Sequence, residues 1–215
     1  MIPDWSSERQ RMVDRQLRRR GIQDPRVLAA MLAIPREEFV PLESRVASYL
    51  DGPVPIGYGQ TMSQPYMTAL MAEVLELQGH ETVLEIGGGC GYAAAVLGAL
   101  AARVVSLEIV GPLADRARAN LKRTGRAHNV TVISADGSAG YPAYAPYDAI
   151  SVAAGAPAIP ASLLEQLGEP GFLAIPVGEF SDQELRVIRK CQGSIESRVA
   201  TLCRFVPLRG TEGWR

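Results

Sequence analysis

Three glycines, at 87, 89 and 91, stand between an apolar run and a helical stretch, with acids at 85 and 108 on either side. Val83-Leu84-Glu85-Ile86 reads as a buried strand, Tyr92 to Ala101 as a helix, and Ala102 to Glu108 as a second strand ending in an acid. Glycines allow a strand-to-helix turn that a Cβ would block, and they let a ligand approach the main chain. An acid about 20 residues beyond the first glycine is where open α/β sheets grip a ribose hydroxyl pair. The constellation points to a nucleoside-containing ligand.

The spacing narrows the choice. It is G-x-G-x-G, and Tyr92 stands where a dinucleotide fingerprint has its third glycine. Glu85, just before the loop, would repel a pyrophosphate and attract an ammonium group. S-adenosylmethionine carries an ammonium, a sulfonium and a ribose but no phosphate, so the acids favour it over NAD. A later Asp136-Gly137 pair strengthens a methyltransferase reading. A second group of polar residues, Thr61, Ser63 and Gln64, precedes Pro65 and a helical run to Leu77. A helix N-terminus attracts anions, although Ser63 taken alone reads equally well as a simple N-cap.

The elements that must position these residues follow from periodicity. Strands at 82–86, 103–108, 130–135, 147–153 and 171–177 alternate with helices at 92–101, 111–124 and 160–167, which predicts a mostly parallel, doubly wound α/β sheet. Segments 184–191 and 196–206 have no helical connector and read as an antiparallel hairpin finishing the sheet. The first fifty residues read as helical, with one helix capped at Ser7 and stopped by Gly21, and another opened by Asp24-Pro25. Six arginines between 9 and 20 are interrupted by Glu8 and Asp14 and read as a solvated helix face. The stretch 51–59 reads as irregular, and no repeats or linkers divide the chain, so one domain over 1–215 is expected.

Composition bounds the remaining classes. At 215 residues, 47% hydrophobic and 21% charged, the chain suits one globular domain. A net charge of −1 offers no global attraction to nucleic acid or anionic membrane. No apolar stretch of about 18 residues predicts a span, and Met1-Ile2-Pro3-Asp4-Trp5 shows no secretion signal. Cysteines at 90, 191 and 203 have no C-x-x-C spacing and fit a reducing cytoplasm. A turn centred in Gln192-Gly193-Ser194 would set Cys203 opposite position 184, so it should not meet Cys191; Cys90 reads as a small side chain in a small site. His80 and His128, the only histidines, suggest no metal site.

The motifs Gly59-Gln60-Thr61-Met62-Ser63-Gln64-Pro65, Val83 to Tyr92, Asp136-Gly137, Pro146 to Ile150, Ile175-Pro176-Val177-Gly178 and Arg204-Phe205-Val206-Pro207-Leu208 occur in that order. In order and spacing the chain resembles the protein-L-isoaspartate O-methyltransferase family along nearly its whole length, Asp24 to Leu28 and Ile34 to Val40 included. The Gly-Gln-Thr-x-Ser-Gln-Pro segment and the Phe-Val-Pro-Leu ending are the specific parts; the glycine loop is shared by many methyltransferases. The resemblance implies a Rossmann-like class I methyltransferase with a helical cap and substrate-side segment (1–58), a cofactor-binding core (59–178) and a C-terminal hairpin lining the substrate cleft (179–215). It implies that Gly87, Gly89 and Gly91 pack against the methionine part and ribose, with Glu85 near the ammonium. Glu108 would hold the ribose hydroxyls, and Asp136 with Gly137 would meet the adenine. Ser63 would be the active-site serine, with Thr61 and Gln64 beside it, and Val206, Pro207 and Leu208 would line the peptide cleft. The family usually has hydroxyl residues where this chain has Gly88 and Cys90.

The implied activity is methylation of the free carboxylate of L-isoaspartyl, and by extension D-aspartyl, residues in damaged proteins, by a cytoplasmic monomer without metal, nucleic-acid or membrane partners. Such a carboxylate, with a pKa near ~4, is already an anion at neutral pH and needs no general base, which matches the absence of a Ser/His/Asp or Cys/His constellation. Competing readings are methylation of normal aspartates in a dedicated peptide partner, a non-catalytic adenosyl-ligand module, and a dehydrogenase. Tyr92 and the missing hydride-transfer residues weigh against the last of these.

Overall fold

The computed structural model describes residues 3–126 and 128–214. Helices α1 (Trp5–Met12) and α2 (Pro25–Ala33) lead to a short antiparallel pair, β1 (Val54–Gly57) and β2 (Gln60–Met62), and then to α3 (Pro65–Glu73). The main sheet follows as β3 (Thr82–Ile86), α4 (Tyr92–Gly98), β4 (Arg103–Glu108), α5 (Gly111–Arg123), β5 (Val130–Ser134), β6 (Tyr147–Val152), α6 (Ala161–Gln166), β7 (Leu167–Gly178), β8 (Gln183–Cys191) and β9 (Ser194–Cys203). Strand order is β5-β4-β3-β6-β7-β8-β9, parallel as far as β7 and antiparallel thereafter.

Side chains alternate across a strand, and the central strands show what that does. Val83, Val104, Ala149 and Ala174 enter one apolar core, while their sequence neighbours Leu84, Val105, Ile150 and Leu173 enter another. The sheet is therefore covered on both faces. The chain leaves β3 toward β4 on one side and reaches β6 on the other, so the order reverses between β3 and β6. Above the carboxyl ends of strands at such a switch point lies a crevice, and the glycine loop, Glu108 and Ala153 all sit at that edge.

Several boundaries differ from the sequence reading, each for a local reason. Asp4, not Ser7, caps α1, accepting from the main-chain nitrogens of Ser6 and Ser7. Beyond Met12 the helix widens to a π turn (Val13–Leu17) and tightens to a 3-10 turn (Arg18–Arg20) before Gly21 ends it at φ 94°. Strand β7 starts directly after α6, at Leu167 and not at 171. The final hairpin turns at Gln192-Gly193, so Cys191 pairs with Ser194, and a register shift near Leu185 sets Cys203 opposite Gln183 and not 184. All three cysteines are free. The stretch 51–59, expected to be irregular, contains β1, which pairs with β2 just beyond it; both are hidden because the strands are only four and three residues long.

The arginine face is not uniformly solvated either. Arg9 donates to Tyr49 Oη (2.9 Å) and pairs with the buried Glu37 (3.1 Å), and Glu37 in turn accepts from Tyr49. That cluster fastens α1 to the segment before β1. Burial first, then the bond to Glu37, pushes the Tyr49 hydroxyl well above its ordinary range. No described helix is long and apolar enough to cross a membrane.

Candidate active site

The glycine loop after β3 is held by geometry that only glycine accommodates. Gly87 and Gly91 have φ of 86° and 87°, and a Cβ on Gly91 would stand 3.2 Å from Cα of Ala117 on α5. The glycine loop and α5 thus approach as closely as they do because position 91 has no side chain. Glu108, 5% exposed at the end of β4, fixes the loop from across the cavity: its Oε2 accepts from Gly89 N (2.7 Å) and its Oε1 from Val110 N (2.8 Å). Gly87, Gly89, Glu108 and Gly137 line one cavity at this edge, closed over by Gln60 and Thr61 of β2.

Glu85 lies beneath the loop and not in the cavity wall. It is fully buried beside Ser106, its partner across the β3–β4 register, whose hydroxyl donates to Oε2. Oε1 has no partner. Burial pushes the carboxyl up to about 7, opposed by the Ser106 bond and assisted by the charge of Glu108. A Cβ on Gly88 would overlap the Ser106 hydroxyl, so the chain carries a hydroxyl at 106 in space that a side chain at 88 would need. Cys90 is buried, and burial pushes its thiol up to about 11, the condition of an inert packing residue.

Asp136 is occupied within the protein. Its Oδ1 accepts from Ser138 N (2.8 Å), and its Oδ2 accepts from the main-chain nitrogen (2.9 Å) and hydroxyl (2.7 Å) of Thr211. These bonds outweigh its desolvation and hold the carboxyl down at about 2. Asp136 therefore anchors the C-terminal segment beside the cavity, and its neighbour Gly137 forms the wall.

A second, larger opening of about 670 Å³ adjoins the first. Its walls come from Arg20, from Ser63, Gln64 and Tyr66 around the start of α3, from Phe180 after β7, and from Thr201 to Pro207. Thr61, Ala153, Val206 and Pro207 line both openings, so the two communicate. Leu208 lines the cavity and not the cleft, buried at the far side of that junction. Ser63 is not a helix cap: Gln64 holds the cap position and no side-chain bond caps α3. Gln64 Nε2 donates to Asp51 (2.6 Å), which also pairs with Arg20 (3.2 Å), and the Arg20 guanidinium lies 3.7 Å from the centroid of the Tyr66 ring. The sequence reading missed Arg20, Phe180 and Ala153. Ala153 had a signal, the small residues after β6; Arg20 and Phe180 reach the cleft only through tertiary packing.

A sheet in this order, with a glycine loop, a closing acid and a final antiparallel hairpin, defines a Rossmann-like class I methyltransferase. The family model described as protein-L-isoaspartate(D-aspartate) O-methyltransferase (PCMT) matches residues 7–213. The chain is 54% identical to protein-L-isoaspartate O-methyltransferase 2 of Marinobacter nauticus, over 98% of this chain and 97% of that one. It is 51% identical to the protein-L-isoaspartate O-methyltransferase of Methanoculleus marisnigri, over 97% and 94%. Among solved structures, a protein-L-isoaspartate O-methyltransferase superposes with a TM-score of 0.82 at 32% identity, covering 95% of this chain and 67% of that one. The beta-aspartate methyltransferase (PCMT) from Plasmodium falciparum, in complex with S-adenosyl-L-homocysteine, superposes with a TM-score of 0.78 at 29% identity, covering 97% and 99%. The chain belongs to the protein-L-isoaspartate O-methyltransferase family, enzymes whose methyl donor is S-adenosyl-L-methionine.

Proposed function

We propose that this enzyme moves a methyl group from S-adenosylmethionine to the free carboxylate of L-isoaspartyl residues in damaged proteins and peptides. D-Aspartyl residues are included by the family description. The observation that carries the reading is the junction at Thr61, Ala153, Val206 and Pro207, where the cavity at the glycine loop adjoins a second cleft of about 670 Å³.

The residues present fit the methyl donor. Gly87 and Gly89 offer main chain in a cradle whose turn Gly91 completes against α5, and a Cβ on Gly89 would press on Ile56 at 3.2 Å. Glu108 is the acid placed to take the ribose hydroxyls. Gly137 is the wall for the adenine, with Asp136 holding that wall in place. Glu85, with an unpartnered oxygen beneath the loop, would in its ionised form supply negative charge toward the ammonium from one layer below the cavity wall. When bound, S-adenosylmethionine supplies an electrophilic methyl group on a positively charged sulfur.

On the cleft side Ser63 donates its hydroxyl to the substrate carboxylate, with Thr61 and Gln64 beside it, while Val206 and Pro207 back the peptide main chain and Leu208 supports them from the cavity side. The carboxylate is its own nucleophile, so these residues orient and desolvate it and move no proton. Holding reactants in line lowers such barriers by about 7–11 kcal/mol. The methyl ester is a better leaving group than the carboxylate. Attack by the neighbouring backbone nitrogen closes a succinimide and releases methanol, and hydrolysis returns part of the chain to normal aspartate.

The division into a cap (1–58), core (59–178) and cleft hairpin (179–215) belongs to the same proposal. So does a cytoplasmic monomer without nucleic-acid or membrane partners, for which three free thiols and a net charge of −1 are the support. The test uses two synthetic peptides differing only in aspartyl versus isoaspartyl linkage, with labelled methyl donor. Base-labile label should enter the isoaspartyl peptide alone; equal labelling of both would favour a dedicated aspartyl substrate. Ser63→Ala should lower turnover about 10–100-fold with S-adenosylhomocysteine affinity unchanged.

A further inference from the structure

Arg36 is completely buried, and no ion pair among the described residues includes it. A guanidinium out of water without a counter-ion is costly to keep, so its contacts show what it is kept for. Nε donates to the carbonyl of Ser48 and Nη2 to the carbonyl of Ser63, both at 2.8 Å. The guanidinium carbon lies 4.5 Å from the centroid of the Tyr92 ring, the first residue beyond Gly91. Nη1 is buried without a hydrogen-bond partner among the described residues. One rigid, planar cation therefore touches both the main chain of the cleft serine and the first helical residue after the cofactor loop.

We infer that Arg36 is a positioning residue that fixes Ser63, and through it the substrate carboxylate, at a set distance from the glycine loop. The inference rests on the reading of Ser63 given above. The charge balance of the reaction explains why the cation stands one step back. As the carboxylate oxygen bonds to the methyl carbon and the carbon–sulfur pair returns to sulfur, an anion and a cation become a neutral ester and a neutral thioether. A cation touching the carboxylate would stabilise the reactants more than the transition state and slow transfer. Behind the Ser63 carbonyl, Arg36 confers rigidity without binding the nucleophile directly. A planar fork holding two carbonyls in fixed directions is also something lysine does not reproduce.

A double-mutant cycle tests this. Arg36→Lys should lower kcat on an isoaspartyl peptide about tenfold, with KM and S-adenosylhomocysteine affinity, measured by calorimetry, within about twofold. In the Ser63→Ala background the same substitution should cost less than about twofold, because the group it orients is gone. Arg36→Gln, which keeps donors and removes the charge, is the second variant and should show the same dependence on Ser63. Equal costs in both backgrounds, unchanged kcat, or a loss of S-adenosylhomocysteine binding in step with kcat would overturn the inference and leave Arg36 a fold residue. Unaltered turnover in Ser63→Ala alone would instead overturn the reading of Ser63 on which it stands.

Discussion

On the cofactor side, one strand-helix-strand unit from Val83 to Glu108 supplies the glycine loop and the acid that fixes it. On the peptide side, Arg20, Ser63, Phe180 and Val206 reach one cleft from segments spread along the whole chain. The first surface is fixed by local conformation: positive φ at three glycines and two main-chain bonds to Glu108. The second is fixed by long-range ties such as Asp51 to Arg20 and Gln64, and Phe180 stacked on Trp214 with ring centroids 4.3 Å apart. Local geometry of the first kind tolerates almost no side-chain change, whereas a wall built from separate segments loses one contact at a time.

That contrast can be broken most directly at Gly91. Gly91→Val puts a β-branched residue at φ 87° and drives a Cβ against Ala117. Strain and overpacking each cost about 1–3 kcal/mol, so thermal melting should drop sharply and S-adenosylhomocysteine binding should vanish. A variant that melts normally and binds would show that the loop is not set by glycine geometry. Glu108→Ala comes next. It removes the acceptor of Gly89 and Val110 along with the proposed ribose contact, and calorimetry should show affinity for S-adenosylhomocysteine falling about 10–100-fold, or roughly 1.4–2.8 kcal/mol.

On the other side, Phe180→Ala should leave S-adenosylhomocysteine affinity intact and raise the peptide KM by about three- to fivefold, since it truncates one exposed ring of a composite wall. Loss of cofactor affinity in this variant would mean that the two surfaces are not independent. The C-terminal segment is where they join: Thr211 bonds Asp136 beside the cavity, and Trp214 stacks on Phe180 while donating to the Gly155 carbonyl (2.9 Å).

The same contrast governs what the sequence reveals. The β-α-β alternation, the glycine loop and Glu108 were legible because each is encoded within a few adjacent residues and a period of 2 or 3.6. The final hairpin was legible in kind but displaced in register, because its turn lies at Gln192-Gly193 and a shift near Leu185 leaves no trace in residue type. The β1–β2 pair escaped because Pro53, Pro55 and three glycines mask two very short strands. Arg20 and Arg36 are indistinguishable from surface arginines until packing sets one against Tyr66 and buries the other under Tyr92. Glu85 was read from the sequence as an anion facing the ligand; the fold places it one layer deeper, bonded to a serine that strand register alone brings near.

That depth makes the smallest effect the most discriminating one. Burial raises the Glu85 carboxyl to about 7 in the folded chain, against an unfolded value near ~4.3. Between these values the unfolded chain has released its proton and the folded chain has not, so this group lowers stability as pH rises through the window, levelling off above about 7. Glu85→Gln cannot titrate, yet it retains an oxygen for the Ser106 hydroxyl. Its melting temperature relative to the parent should therefore rise by a few degrees between pH 5 and pH 8, each kcal/mol being about 2–4 °C in a chain of this size. If Glu85 faces the ammonium of the cofactor as proposed, saturating S-adenosylhomocysteine should shrink the difference. If the gain with pH persists unchanged in the ligand's presence, Glu85 is a structural acid of the sheet and not a partner of the cofactor; if no gain appears at all, its carboxylate is not desolvated as the strand places it.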